Sequence, residues 1–320
     1  MDKRSEKRVF FLTGLPKSGT TWMMNILNSL EDVCCLGEGR FFSSGLQNVP
    51  SLYEALAKGL RPWYEFISLR KKNWLGLDAH LESINRQNFL PAQAFAEAFD
   101  RDLGQVARMT ILNFMLGAVQ GDPKVKMIGD KTPVMAPEEL RKMANLFPDA
   151  KVVFMQRNVK DFIVSLLFHY WRATRDRRPD SLMSFMTIDD FLSVEKFVNS
   201  DEGEKPPFVG APTALRLAKL WKSTNEEASV IAEVMPETMM VVSYEEMMRD
   251  PSQMMDRVFD FLCLAPQESI RREAIERNSK EAVKSGTNNA LKAHVRSGEE
   301  GDWVHYLSPE VSMAIDDVLL

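Results

Sequence analysis

Short apolar runs alternate along this chain with segments whose apolar residues recur at helical spacing. Four runs indicate buried strands, namely residues 9–12, 125–128, 151–156 and 238–243. After the first run, Trp22, Met23, Ile26, Leu27 and Leu30 lie on one face of a predicted helix. Strands that alternate with helices predict a parallel sheet with right-handed crossovers, and therefore an α/β fold.

The remaining patterns predict a single domain over residues 1–320. Residues 36–42 follow the first helix as a loop. Residues 43–122 are rich in helical patterns and aromatic residues and show no strand signal, so we expect a helical insertion over the sheet. Residues 198–213 are polar and rich in Pro and Gly, which predicts a mobile loop. Pro137 opens a further helix before the 151–156 strand.

A glycine loop lies between the first strand and the first helix. Strand, loop and helix together present backbone N–H groups and a helix dipole to a phosphate. Gly14 and Gly19 have the spacing of a Walker A loop, but Thr20 stands where that loop has lysine, and the lysine is Lys17. The loop suits a 5′-phosphate, while the spacing leaves a small-molecule kinase as an alternative.

A second candidate anion site follows the 151–156 strand. Arg157 comes at the carboxyl end of that strand, where open α/β sheets bind ligands. Ser165 lies eight residues later, about two helical turns along. An arginine fork with a hydroxyl suits a phosphate monoester. Arg157 taken alone could equally cap a carboxylate at the sheet edge.

Four segments together resemble the sulfotransferases that use 3′-phosphoadenosine 5′-phosphosulfate (PAPS). Residues 16–22 resemble their 5′-phosphosulfate loop, and residues 157–165 resemble their 3′-phosphate motif. Residues 242–251 resemble a Y-E-D-x-x-x-D-P segment, and residues 295–303 resemble a C-terminal R-K-G-x-x-G-D-W loop. The segments occur in the family's order.

The resemblance implies a P-loop-like parallel sheet, PAPS as co-substrate without a metal, and a small-molecule acceptor on the side of the helical insertion. It implies two sets of nucleotide-binding residues: Pro16, Lys17, Ser18, Gly19, Thr20, Thr21 and Trp22 for the 5′ side, and Arg157, Ser165, Arg296, Ser297 and Gly298 for the 3′ side. Ser297 departs from the family, which usually has lysine there. Trp22 is the first candidate to stack on adenine, with Trp221 as the alternative, and Tyr244 is interpreted as structural.

The resemblance also implies the catalytic groups. Lys17 and Lys131 are the expected cations, but Pro133 replaces the histidine base that follows K-T in cytosolic members. Glu38 and Asp130 are the candidate carboxylate bases, with His169 as a remote third. We favour Glu38, since Lys131 is expected to depress the pKa of its neighbour Asp130 and make it a poorer base.

Composition limits the partners and the location. The net charge of −5 excludes a global basic field for nucleic acid. No apolar stretch approaches the ~18 residues that span a bilayer, so we expect no membrane association and a cytoplasmic location. Three cysteines make no disulfide framework, and no Cys/His cluster has zinc spacing. A catalytically inactive nucleotide-binding protein and a homodimer remain open options.

Overall fold

The fold is built on a parallel sheet of five strands. The computed structural model describes residues 7–42, 92–119, 122–176, 186–200, 207–285 and 300–320. Within residues 92–119, side chains are described from residue 104 onward. The strands are β1 (Arg8–Gly14), β2 (Val33–Gly37), β3 (Met127–Lys131), β4 (Lys151–Gln156) and β5 (Met239–Ser243), in the order β2-β3-β1-β4-β5. Every neighbouring pair is parallel, as the alternating pattern predicted.

Helices connect these strands. They are α1 (Thr20–Leu27), α2 (Ala92–Ala118), α3 (Pro137–Leu146), α4 (Val159–Asp176), α5 (Ile188–Asn199), α6 (Ala211–Val234), α7 (Tyr244–Arg249), α8 (Pro251–Phe261), α9 (Glu268–Arg277), α10 (Lys280–Ser285) and α11 (Pro309–Leu319), with a 3₁₀ helix at Asp302–His305. None of the described helices combines the length and the apolar character that a membrane crossing requires.

The two faces of the sheet bury separate hydrophobic clusters, because successive side chains of a strand point to opposite faces. Phe10 and Leu12 pack with the apolar residues of α1 and α8. Phe11, between them, packs on the other face with residues of α2 and α3. A third cluster joins α4, α5, α6 and α11 beyond β4. The middle strand is thus covered on both sides, and its carboxyl end is where the glycine loop begins.

Two boundaries near the carboxyl ends of β2 and β3 differ from the sequence prediction. The loop predicted over 36–42 is wrong at its start, because β2 extends to Gly37 as the edge strand on β3. β3 runs to Lys131 rather than 128, since its register with β1 continues until Lys131 lies opposite Leu12. Asp130 and Lys131 are therefore strand residues.

The two irregular regions are described only in part. The loop predicted over 198–213 is wrong at both ends, because α5 extends to Asn199 and α6 begins at Ala211. Pro212 lies in the first turn of α6, where a missing N–H costs no helical hydrogen bond. Residues 201–206 lie outside the described part. Of the predicted insertion, α2 is helical, and residues 43–91 and 120–121 lie outside the described residues.

Candidate active site

The glycine loop places backbone donors at the carboxyl end of β1. Gly14 has φ 144° and Gly19 has φ 97°, and a Cβ at Gly14 would lie 2.2 Å from the Met155 carbonyl oxygen. Lys17 also takes a left-handed conformation, with φ 71°. Gly19 precedes α1 without any side-chain cap, so the first N–H groups of the helix face the loop. Thr20 is buried in the first turn, and Pro16 and Thr21 are partly buried. This arrangement is suited to an anion.

Arg157 joins the loop to the neighbouring strand end. Its Nη1 donates a hydrogen bond to the Lys17 carbonyl oxygen at 3.1 Å, although the two residues are 140 apart in sequence. The Arg157 residue is only 7% exposed. Its carbonyl oxygen accepts a bond from the indole N–H of Trp221 at 2.7 Å. Trp221 therefore supports the end of β4. Ser165 is buried on the helix that follows, α4.

Three buried polar atoms around the loop have no hydrogen-bond partner in the described part of the chain. They are the Ser18 Oγ, the Trp22 Nε1 and the Arg157 Nε. A buried donor or acceptor that stays unpaired costs about 1–3 kcal/mol. Such a cost at three neighbouring positions in sequence and fold indicates a site that a polar ligand completes.

Tyr244 connects both anion-binding elements, and sequence reasoning assigned it no part in the site. The Arg157 guanidinium lies over its ring at 4.6 Å, and the Trp22 ring meets it edge to face at 6.1 Å. A Cβ at Gly19 would lie 2.6 Å from the ring, so a glycine is needed at that position. The next residue, Glu245, accepts a hydrogen bond from the backbone N–H of Asn158 at 2.8 Å. The turn that carries Arg157 is therefore held from β5 and α7. The only sequence signal for this was the 242–251 segment.

The start of α4 also holds the C-terminal segment. The carboxylate of Asp161 accepts hydrogen bonds from the backbone N–H groups of Gly301 at 2.9 Å and Trp303 at 3.2 Å. Burial raises the pKa of Asp161, against these bonds and the charge of Arg157. Lys160 lies 4.6 Å from the centre of the Trp303 ring. The end of the 295–303 segment is thus anchored beside Arg157. The predicted residues Arg296, Ser297 and Gly298 lie outside the described residues.

Glu38 and Lys131 form an ion pair across the ends of β2 and β3. The Lys131 Nζ donates to the Glu38 Oε1 at 3.0 Å, and the two side chains are 6% and 44% exposed. The Arg40 Nη2 lies 3.3 Å from the Glu38 Oε2. Burial alone would raise the pKa of Glu38, but the charges and hydrogen bonds of Lys131 and Arg40 outweigh it and hold the pKa below its ordinary value. The structure brings these two predicted residues together.

The pKa of Asp130 differs from the expectation drawn from the sequence. The residue is 1% exposed, and this burial raises its pKa despite the Thr132 and Gly39 hydrogen bonds and the charge of Lys131. The predicted depression of its pKa by Lys131 is therefore wrong, because desolvation of the carboxylate outweighs the neighbouring cation. The pKa argument that favoured Glu38 over Asp130 does not hold, and the choice depends on exposure and on hydrogen bonds.

The remaining candidates lie on α4. His169 is partly exposed, and its ring meets that of Tyr170 at 5.5 Å. Burial raises the pKa of Tyr170 to about 12, with smaller effects from the charges of Arg40 and Glu38. Among the residues that the structure describes, no group of three or more His, Cys, Asp or Glu could hold a metal ion.

Comparisons with known proteins show the family and the fold of this chain. The family model described as Sulfotransferase domain matches residues 7–319. Cytosolic sulfotransferase 6 of Arabidopsis thaliana is 28% identical over 184 residues, which are 53% of this chain and 50% of that protein. Flavonol 3-sulfotransferase of Flaveria bidentis is 25% identical over 189 residues, 53% of this chain and 54% of that protein. The chain thus spans about half the length of the curated relatives it matches. A mouse sulfotransferase crystallised with PAP (3′-phosphoadenosine 5′-phosphate) shares the fold, with a TM-score of 0.52. The two chains are 17% identical, and the match covers 97% of this chain and 82% of the other.

Proposed function

We propose that this chain, which belongs to the sulfotransferase domain family, transfers a sulfuryl group from PAPS to a hydroxyl or amine of a small-molecule acceptor. The observation that carries the proposal is the set of unpaired buried atoms in the glycine loop, in α1 and at the end of β4, namely Ser18 Oγ, Trp22 Nε1 and Arg157 Nε. A nucleotide with phosphates at both its 5′ and 3′ positions would give charged partners to the Ser18 Oγ and the Arg157 Nε.

The nucleotide-binding residues divide between two strand ends. The loop after β1, from Pro16 to Thr21, supplies backbone N–H groups, hydroxyls and the Lys17 ammonium for the 5′ side. Arg157 and Ser165 supply a guanidinium and a hydroxyl for the 3′-phosphate. Trp22 is proposed to stack on the adenine. Arg296, Ser297 and Gly298 remain proposed ligands from the segment whose end Asp161 anchors.

Lys17 and Lys131 are the proposed catalytic cations. PAPS supplies the sulfuryl group, and negative charge grows on the oxygen that leaves with the 5′-phosphate. Two ammonium groups directed at that oxygen would stabilise such charge. A sulfuryl group carries less negative charge than a γ-phosphoryl group, so we propose that these lysines suffice without a metal ion.

Glu38 is the proposed general base. Its carboxylate is the more exposed of the two candidates, and it lies beside the Lys131 ammonium, where the acceptor and donor would meet. Asp130 is buried, and both of its oxygens already accept hydrogen bonds. The lowered pKa of Glu38 makes it a weak base in the unliganded protein. When Lys131 turns to the leaving oxygen, the pKa of Glu38 should rise toward the range of an effective base.

Three further statements belong to the same proposal. The cytoplasm is the proposed location, in keeping with the relative named a cytosolic sulfotransferase. The acceptor is proposed to enter from the side of the insertion, residues 43–122, and we propose neither a nucleic acid nor a membrane as partner. The kinase alternative is not favoured, because the family model over residues 7–319 is that of a sulfotransferase domain.

The decisive experiment is an acceptor screen with sulfur-labelled PAPS. Phenols, sterols, sugars, lipids and peptides are incubated with the protein, with and without EDTA, and labelled products are separated. We expect transfer to at least one class, unchanged by EDTA and lost in Lys131→Met. Tight binding of PAP without transfer to any class would instead indicate an inactive nucleotide-binding protein. Turnover of ATP that depends on Mg²⁺ would indicate a kinase.

A further inference from the structure

The turn after β2 is held by side chains in place of a continued sheet ladder. The ladder between β2 and β3 reaches the Glu38 N–H, which donates to the Lys131 carbonyl oxygen at 2.7 Å. The chain then turns, with Glu38 and Arg40 both at φ 52°, in the left-handed region that residues with side chains rarely adopt. Two residues in this conformation within three positions persist only when the surrounding structure holds the backbone there.

The support comes from the side chains of Asp130 and Thr132. The Gly39 N–H donates to the Asp130 Oδ1 at 2.9 Å, and the Arg40 N–H donates to the Thr132 Oγ1 at 3.0 Å. The Thr132 hydroxyl in turn donates to the Asp130 Oδ2 at 2.6 Å. Three successive backbone N–H groups, at 38, 39 and 40, are therefore bound by residues 130–132, which are the last two residues of β3 and the residue after it.

The close fit of Gly39 shows how tightly this turn lies on the strand. A Cβ at Gly39 would lie 2.8 Å from the Asp130 Oδ1 and 2.4 Å from the ring of Phe41. Asp130 and Thr132 are 1% and 4% exposed, so water does not compete for their hydrogen bonds. Asp130 and Thr132 thus hold the backbone of the turn that carries Glu38, while the Glu38 side chain is 44% exposed.

We propose that Asp130 and Thr132 are positioning residues, which clamp the 38–40 turn and thereby hold the Glu38 carboxylate beside Lys131 for the transfer step. The inference rests on the proposed function for its catalytic consequence, but the clamp is a property of the fold. Asp130 does not itself take the acceptor proton, since both its oxygens are engaged and buried. Loosening the turn by about an ångström is the kind of misplacement that can cost about 10²-fold in rate.

Thr132→Val tests the clamp, because it keeps the shape of the side chain and removes the hydroxyl. Thr132→Ser keeps the hydroxyl and should preserve activity. Thr213→Val is the matched control, since the Thr213 hydroxyl also donates to a buried carboxylate, Asp190, at 2.8 Å, but between α5 and α6. We expect Thr132→Val to lower kcat about 10- to 100-fold, with the KM for PAPS within twofold and a loss of Tm like that of Thr213→Val. If the two Val variants have equal kcat, the clamp is only structural and the proposal fails.

A titration of Glu38 separates this inference from the proposed function. Carbon-13 NMR of glutamate-labelled protein, assigned by comparison with Glu38→Gln, follows the Glu38 carboxyl. We expect its pKa to lie below the ordinary value in the wild type and in Thr132→Ser, and to move up toward that value in Thr132→Val, as the contact with Lys131 loosens. An unmoved pKa in Thr132→Val overturns the clamp, whether or not the protein transfers sulfate.

Two further outcomes are distinguishable. If the wild type transfers sulfate to no acceptor, the proposed function fails, and the titration alone decides the clamp. If Thr132→Val does not fold, Thr132→Ala replaces it, because it also removes the hydroxyl that binds the Arg40 N–H and the Asp130 carboxylate, and it changes no charge near Glu38. The same rise in the Glu38 pKa is then expected, and its absence overturns the proposal.

Discussion

Arg157 offers the sharpest test of the nucleotide site. In the unliganded protein the guanidinium uses Nη1 on the Lys17 carbonyl oxygen and lies over the Tyr244 ring, and its Nε is buried without a partner in the described part of the chain. A 3′-phosphate would give that Nε a charged acceptor. Arg157→Ala removes all of these interactions together, so its effects on binding and on stability can be compared.

The effect on binding follows from the hydrogen bond to a charged group, which is worth about 1.5–3 kcal/mol. At 1.36 kcal/mol for each tenfold change, the affinity for 3′-phosphoadenosine 5′-phosphate should fall about 10- to 150-fold. The affinity for AMP, which lacks the 3′-phosphate, should change less than threefold by the same reasoning, since Arg157 would have no phosphate to bind.

The effect on the stability of the unliganded protein is the difference between two opposing contributions. Loss of the bond to Lys17 and of the contact with Tyr244 destabilises the fold by about 1.5–4 kcal/mol. Removal of an unpaired buried N–H relieves about 1–3 kcal/mol. The two contributions oppose each other, so we expect the free energy of unfolding to fall by about 1 kcal/mol, within limits of about 1.5 kcal/mol of stabilisation and about 3 kcal/mol of destabilisation.

Calorimetry with the two nucleotides and thermal unfolding without ligand measure these quantities. Arg272→Ala is the control arginine, since its side chain is exposed and pairs with Glu268 on α9, and it should leave both affinities unchanged. Equal losses for the two nucleotides in Arg157→Ala would refute the assignment of a 3′-phosphate to this residue. Unchanged binding of 3′-phosphoadenosine 5′-phosphate would remove Arg157 from the site altogether.

Three further predictions concern the groups near the transferred sulfate. Lys17→Met and Lys131→Met should each lower kcat about 10²- to 10³-fold in steady-state assays, as for loss of one oxyanion donor. Lys17→Met should weaken nucleotide affinity more than Lys131→Met does. Near-normal turnover in Lys131→Met would contradict the catalytic role of Lys131. Glu38→Gln should lower kcat about 10²- to 10⁴-fold and spare nucleotide binding, and Asp130→Asn should act more weakly; the reverse order would make Asp130 the base. Thermal unfolding across acidic to neutral pH should show opposite slopes for the two carboxyls. The folded-state pKa of Glu38 is lowered from 4.5, so its stabilisation is present above that value and is lost as pH falls through the folded pKa. The pKa of Asp130 is raised from 3.8, so its stabilisation is present below that value and is lost as pH rises through the folded pKa. Relative to the wild type, Asp130→Asn should therefore gain stability as pH rises, and Glu38→Gln should gain stability as pH falls; parallel curves would contradict both directions.

Local patterns were enough to predict the family and most of the sheet. β4 was predicted at its observed bounds, residues 151–156, because a buried central strand is a continuous apolar run between polar ends. The strand, glycine loop and helix around Gly14 and Gly19 were predicted because those positions need left-handed backbone that glycine adopts freely. The resemblance of four segments predicted the family, which the family model confirms. The roles of the individual site residues stay predictions.

What the sequence missed depends on contacts between distant segments. β2 carries only five residues, and it is a strand because β3, more than ninety residues later, supplies its hydrogen bonds. The same pairing brings Glu38 to Lys131 and places the Asp130 carboxylate under the 38–40 turn.

The sequence by itself determined which chemical groups this chain carries, and it placed Lys17 and Arg157 after β1 and β4, because an apolar run and the turn that follows it are adjacent in the chain. Only the tertiary structure decided how those groups are charged and held. Burial depends on what the rest of the chain packs around a side chain, and it raises the pKa of Asp130 even though a lysine follows it directly in the sequence. The strand pairing that holds Glu38 is likewise invisible to any local pattern, since each of its hydrogen bonds joins residues about ninety positions apart.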